Sequence, residues 1–210
     1  MQNFSSESSI IYVVDDDQDV REGLQSLLES VGLQSQTFGS ATEFLAAKLP
    51  NAASCLILDV RLPGLGGLDF QAELNRMKME IPIIFITGHG DIPMSVKAMK
   101  GGAVEFLPKP VREQDLLDAV QLALGRAHTS REIHMRTRDL HERFVALSTR
   151  EKEVMRLVCT GLMNKQVAAK IGISEITVKV HRHNVMKKLG AKSLPDLVRM
   201  ADSLEAVEAR

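Results

Sequence analysis

The chain has 210 residues, 44% of them hydrophobic, and a formal net charge of −1 at pH 7. That size suits one large domain or two small ones, with enough apolar residues for real cores. No apolar run nears the roughly 18–20 residues of a membrane span, and the opening MQNFSSESS lacks the basic and apolar segments of a signal peptide. A cytoplasmic protein with no membrane partner is therefore expected. The near-neutral balance hides two opposite halves. Residues 1–125 carry 17 Asp and Glu against 9 Lys and Arg, and residues 126–210 carry 10 against 17. An acidic half joined to a basic half implies two domains with different partners, the basic one suited to nucleic acid. The cysteines, Cys55 and Cys159, both stand in apolar surroundings and read as buried free thiols of a reducing compartment.

In chain order, the acidic half shows short apolar runs at 10–14 (IIYVV), 33–38 (LQSQTF), 55–58 (CLIL), 81–87 (IPIIFIT) and 104–107 (VEFL). Each is too short for a helix, and continuous apolar runs suit strands buried on both faces. Helical patterns lie between and after them. Residues 20–32 place Val20, Leu24, Leu27, Leu28 and Val31 on one face, with Gly32 as the stop. Residues 40–49 open with Ser40 and Glu43 at capping-box spacing. Further patterns follow at 67–77, 92–100 and 113–124. This alternation predicts a five-stranded parallel, doubly wound α/β domain.

In such sheets ligands bind at the carboxyl ends of the strands. The predicted ends deliver Asp15, Asp16 and Asp17, then Asp59, then Thr87, Gly88 and His89, then Lys109 and Pro110. Taken singly, an Asp after a strand is usually a turn or cap residue, and a Lys is usually solvated. Their joint placement on one edge points elsewhere. Asp16 and Asp59 as neighbours would repel each other without a cation between them. Carboxylate, carbonyl and water ligands suit Mg²⁺. A carboxylate can attack phosphorus to form an acyl phosphate, while Lys109 and the Thr87 hydroxyl could hold phosphoryl oxygens. Gly88 would leave the approach open.

The motifs VVDDD, LDVRLPGLGGLD, IFITGHG and FLPKP, in this order, resemble a response-regulator receiver domain across residues 8–125. The resemblance implies that Asp59 is the phosphoacceptor. It implies a Mg²⁺ site, also open to Mn²⁺, made by Asp16, Asp59, the main-chain carbonyl of Arg61 and a supporting Asp15. It makes Thr87 and Phe106 the switch pair, Lys109 the phosphate contact, and Lys109–Pro110 a cis bond. By its residues alone, Phe106 reads as an ordinary core strand residue. Arg61 and His89 occupy positions that vary in the family and tune the phosphoryl lifetime. Asp17 is the surplus acid, expected to face solvent.

Residues 113–147 read as one long helical stretch or as two helices with a break at Gly125, where glycine costs about 1 kcal/mol relative to alanine, and 126–145 is expected to be a charged helical linker. Ile133, Leu140, Phe144 and Leu147 form a sparse apolar stripe; a dimeric coiled coil, which would want denser a and d positions, stays as the alternative to a linker that tethers the domains. Residues 146–208 read as an all-α, four-helix unit. Helix 148–161 has Ser148 or Thr149 as cap, Ser148–Glu151 at capping-box spacing and Gly161 as stop. Then come 164–174 with a turn at Gly172, 174–190 between Ser174 and Gly190, and 192–201 with Pro195 in its first turn. A short helix, a Gly turn and a basic helix make a helix-turn-helix. In the basic helix, Ile176, Val180 and Leu189 are expected to share an apolar face. Thr177, Lys179, Val180, Arg182, His183, Lys187 and Lys188 form the DNA-binding set, with Lys179, Val180 and His183 nearest the bases. The bland alternative is a solvated basic face. His181 and His183 lie on different helix faces and cannot share a metal.

Residues 147–193 resemble the LuxR-type DNA-binding domain almost throughout. Joined to the receiver, the chain resembles the FixJ/NarL family of response regulators, and residues 87–110 point to its FixJ-like branch. The resemblance implies a transcriptional regulator switched by phosphorylation of Asp59 by a sensor histidine kinase. It implies a phosphorylated homodimer, double-stranded promoter DNA and RNA polymerase as partners, and no external turnover substrate. A phosphatase of the haloacid dehalogenase type would need a second acid where Arg61 stands. A constitutive DNA binder with a vestigial receiver would be indifferent to Asp59→Asn.

Overall fold

A computed structural model describes residues 9–88 and 92–208, the side chains of 205–208 excepted. The chain divides into two compact units between Arg131 and Glu132. The first contains β1 (Ile10–Val14), α1 (Gln18–Ser30), β2 (Gln34–Phe38), α2 (Ala41–Ala46), β3 (Ser54–Asp59), α3 (Gly67–Arg76), β4 (Ile83–Thr87), α4 (Ile92–Lys100), β5 (Glu105–Pro108) and the start of α5 (Glu113–Val145).

The five strands form one sheet in the order β2-β1-β3-β4-β5, with every pair parallel. Successive side chains point to opposite faces, and β1 shows the consequence. Ile11 and Val13 join Leu24 and Leu28 of α1 and Leu116, Val120 and Ala123 of α5. Tyr12 and Val14 join Phe44, Phe70, Leu74 and Ala98 from α2, α3 and α4. Burying such a side chain contributes about 1.5–3 kcal/mol, so a sheet covered on both sides holds most of this unit's stability. The chain leaves β1 for β2 on one side and reaches β3 on the other. This places the topological switch between β1 and β3, where Val14 pairs with Leu58. The residues that follow, Asp15 and Asp59, therefore share the crevice.

Local details depart from the sequence reading at several places. Helix α1 stops at Ser30, so Val31 becomes its C-cap and is 49% exposed instead of joining the apolar face. Ser40 caps α2 by accepting the Glu43 N–H, but the Glu43 carboxylate accepts the N–H of Gly39, so the capping box is displaced by one residue. Helix α5 runs unbroken through Gly125 to Val145, because buried Leu124 and Ala127 hold it on either side. Leu140 and Phe144 pack into the core of the second unit, whereas Ile133 is 56% exposed.

The second unit continues with α6 (Thr149–Cys159), α7 (Asn164–Ile171), α8 (Glu175–Leu189) and α9 (Leu194–Glu208). Ser148 caps α6 in a full capping box with Glu151. Gly172 and Gly190 end α7 and α8 in the left-handed region, at φ 69° and 76°, which glycine adopts without a steric penalty. Val154, Val158, Val167, Ala168 and Val178 form one cluster. Leu147, Met155, Val185, Leu189, Leu197 and Leu204 form another. The packing of Leu204 extends α9 beyond the expected end at 201. Neither cysteine forms a disulfide; Cys55 is buried, with its thiol pushed up to about 12 by burial, whereas Cys159 is only half-buried. No helix among the described residues is long and apolar enough to cross a membrane.

Candidate phosphoacceptor pocket and nucleic-acid surface

The pocket lies at the carboxyl edge of the sheet. Asp15, at the end of β1, is fully buried, and Asp59, at the end of β3, is 6% exposed. Asp16 is exposed at the rim, yet carboxylate oxygens of all three residues lie within 4.8 Å of one another. Lys109, after β5, donates from Nζ to Asp15 Oδ2 at 2.6 Å and stands 3.6 Å from Asp59 Oδ1. Burial raises the Asp59 carboxyl above its ordinary range, and the Asp15 charge adds to this. Lys109 and the N–H groups of Arg61 and Val60 pull in the opposite direction. One ammonium against two buried carboxylates and a third at the rim leaves the pocket negative. Hard oxygen donors in that arrangement fit Mg²⁺ or Mn²⁺.

The other expected members fall around these acids. Thr87 ends β4 with 1% exposure, and its carbonyl accepts the Lys109 N–H at 2.7 Å. Gly88 is exposed, with open space where a Cβ would stand. Phe106 is half-buried, its ring centroid 6.2 Å from that of Phe85. The Lys109–Pro110 bond is cis. His89 lies outside the described residues. Asp17 is solvent-facing but not surplus: as N-cap of α1 it accepts the N–H groups of Asp19 and Val20. Two supports escaped the sequence reading. Arg21 donates to the Asp15 carbonyl at 2.7 Å, and nothing in the pattern of α1 marks it out. Gly67 donates to the Val60 carbonyl, and a Cβ there would stand 2.2 Å from the Asp59 carbonyl oxygen. Only glycine lets α3 begin so close to β3, and the run GLGG was its one visible signal.

On the second unit, Lys179, Val180, His183 and Lys187 lie on the open surface of α8. The remaining members of the expected DNA-binding set have partners within the protein. The Thr177 hydroxyl lies 2.8 Å from that of Ser174 at the helix cap. Arg182 donates to Asn164 of α7 at 3.2 Å. Lys188 donates to Glu151 of α6 at 2.7 Å. Glu151 is buried, and its carboxyl is held below the usual range by the Lys188 hydrogen bond and then by the Ser148 N–H. Lys188 thus joins two helices, with its ammonium already paired inside the protein. The expected apolar face of Ile176, Val180 and Leu189 does not form. Val178, Val185 and Leu189 are the buried residues, while Ile176 is 74% and Val180 53% exposed. The steps from Val178 to Val185 and Leu189 are seven and four residues, which stay on one helix stripe. Ile176 and Val180 project from the other side.

Residues 11–121 match the response regulator receiver domain, and residues 145–201 match the luxR family of bacterial regulatory proteins. The chain is 57% identical to nodulation protein W of Bradyrhizobium diazoefficiens, over 95% of this chain and 88% of that one. It is 48% identical to the response regulator protein TodT of Pseudomonas putida, over 98% and 90% of the two chains. Among solved structures, the response regulator StyR superimposes with a TM-score of 0.83 at 48% identity, covering 93% of this chain and 98% of that one. Full-length FixJ from B. japonicum gives 0.57 at 38% identity, covering 97% and 99%. The receiver match thus precedes the luxR-type match in this chain, and the chain belongs to the FixJ/NarL-type response regulators, two-component transcriptional regulators that bind DNA.

Proposed function

We propose that Asp59 is the residue through which a sensor histidine kinase switches this regulator. The observation that carries the reading is the buried Asp59 carboxylate beside Asp15 and Asp16, with the Lys109 ammonium 3.6 Å away. An Asp59 carboxylate oxygen attacks the phosphorus of the kinase's phosphohistidine. The P–O bond forms as the P–N bond breaks, and the electron pair returns to the imidazole. A divalent cation, Mg²⁺ or Mn²⁺, held by Asp15, Asp16, Asp59 and the Arg61 carbonyl, would neutralise phosphoryl oxygens. Lys109 exchanges part of its contact with Asp15 for the new phosphoryl oxygens, and Thr87 offers its hydroxyl beside Gly88. Phe106, at the edge of the core, repacks as Thr87 moves, which biases a two-state equilibrium on the surface formed by α4, β5 and α5.

The outcome is a homodimer whose two α8 helices bind paired half-sites of promoter DNA and bring the regulator to RNA polymerase. Phosphoryl loss by hydrolysis resets the switch, with no external turnover substrate. In this reading residues 8–125 are the receiver, 126–145 the linker and 146–208 the DNA-binding domain, all acting in the cytoplasm. Sedimentation velocity of the full chain with Mg²⁺, with and without beryllofluoride as phosphoryl mimic, tests it. A monomer-to-dimer shift that Asp59→Asn abolishes is the expected result. A monomer in both conditions, with beryllofluoride shown to be bound, would sink the dimer switch.

A further inference from the structure

We propose that Ile176, a residue outside the expected DNA-contact set, selects the operator by packing on a thymine 5-methyl group in the major groove. The inference rests on the reading of α8 as the DNA-recognition helix. Ile176 is the second residue of α8, two positions after the Ser174 cap, and is 74% exposed. Val180, one turn further on, is 53% exposed on the same side. The hydrophobic needs of the helix are already met on its other side, where Val178, Val185 and Leu189 are fully buried. The Ile176–Val180 couple therefore does nothing for the core of its own unit.

The setting of the couple identifies its occupant. Lys179, His183 and Lys187 are exposed on the same helix. The acid beside the couple, Glu175, lies 3.6 Å from the Lys179 ammonium, which offsets its charge. The Lys187 ammonium, unpaired among the described residues, lies along the same face, and residues 126–210 carry 17 Lys and Arg against 10 Asp and Glu; an apolar spot on so basic a unit suits a polyanion that carries isolated apolar groups. Double-stranded DNA has that character in its major groove, where the thymine methyl is the apolar feature of the base edges. A protein partner would ask for the reverse, since the cores of such interfaces are depleted of charged residues. The first residues of a recognition helix are also those that reach base edges. Four residues of helix rise about 6 Å, and bases repeat about every 3.4 Å along a strand. Ile176 and Val180 would thus address thymines about two steps apart.

The test uses the full chain with Mg²⁺ and beryllofluoride. A preferred duplex is selected from a random pool, and each thymine is then replaced singly by deoxyuridine, which removes only the methyl group. Affinities are read by fluorescence anisotropy for the wild type, Ile176→Ser and Ile176→Val. For the wild type, at least one replacement should weaken binding about fourfold, the partition of one buried methyl group. Ile176→Ser should bind the parent duplex about fourfold more weakly and lose the deoxyuridine penalty at that position, while Ile176→Val should keep it. A wild type indifferent to every replacement would overturn the inference, as would a serine variant with the same penalties as the wild type. A serine variant with unchanged DNA selectivity but lost transcriptional activation would also overturn it and assign the couple to a protein partner. Lys187→Ala separates the underlying reading: unchanged affinity and salt dependence in that variant would move the DNA surface away from α8 altogether.

Discussion

The most consequential single residues here are acids held where water cannot solvate them. Asp59 is buried beside Asp15, and burial raises its carboxyl, opposed in part by the Lys109 ammonium and reinforced by the Asp15 charge. Ionised Asp59 therefore opposes folding at neutral pH when no cation is supplied. Asp59→Asn should raise the melting temperature in a chelating buffer, by roughly 4 °C for an effect of about 1 kcal/mol, and the gain should shrink when Mg²⁺ is added. Differential scanning calorimetry with and without the ion reads both. Glu151 has the opposite sign. Its carboxyl is held below the ordinary value of 4.5 by Lys188 and the Ser148 N–H, so its contribution is present above that value and is lost as pH falls through the lower folded-state pKa. Glu151→Gln should cost about 1–3 kcal/mol at neutral pH, and urea midpoints of the two proteins should converge on acidification. The acids at the strand ends were legible because strand, turn and carboxylate occur together. The Glu151–Lys188 bond was not, since 37 residues separate the partners and no local pattern links them.

At the scale of elements, caps and stops were the most readable features, because they are local chemistry. Ser148 with Glu151, Ser174, Gly172 and Gly190 all act where their residue types predict. Helix faces were less readable where apolar residues occur on two sides, as in α8. There, periodicity offers two stripes and only packing against α6 and α7 selects Val178 and Val185. The continuity of α5 is a related case. Gly125 lowers helix propensity, yet the flanking turns are buried and the helix passes through. A Cβ at Gly125 would meet nothing within 4 Å. Gly125→Ala should therefore stabilise the protein by about 0.5–1 kcal/mol, chiefly by restricting the unfolded chain. A loss of stability on thermal unfolding would mean that α5 needs that glycine to bend.

Over the whole molecule, the opposite charges of the two halves separate two chemistries: a pocket that gathers carboxylates and a helix that presents cations. For the basic half, salt dependence distinguishes working cations from structural ones. Lys187 is exposed, and nothing among the described residues pairs with its ammonium, whereas the Lys188 ammonium is committed to Glu151. Lys187→Ala should reduce the slope of log K against log salt by about 1. Lys188→Ala should leave that slope unchanged while lowering stability, and anisotropy titrations across salt concentrations would show both effects. By itself the sequence determined the alternation of strand and helix, the acids and the lysine at the strand ends, and the helix boundaries marked by Ser and Gly, because each depends on neighbours a few residues away. Only the tertiary structure decided that Lys109 rests on Asp15, that Gly67 must lack a side chain, and which face of α8 is left outside. Those outcomes depend on which distant surfaces meet, since burial and pairing are properties of the packed chain and not of any short stretch of it.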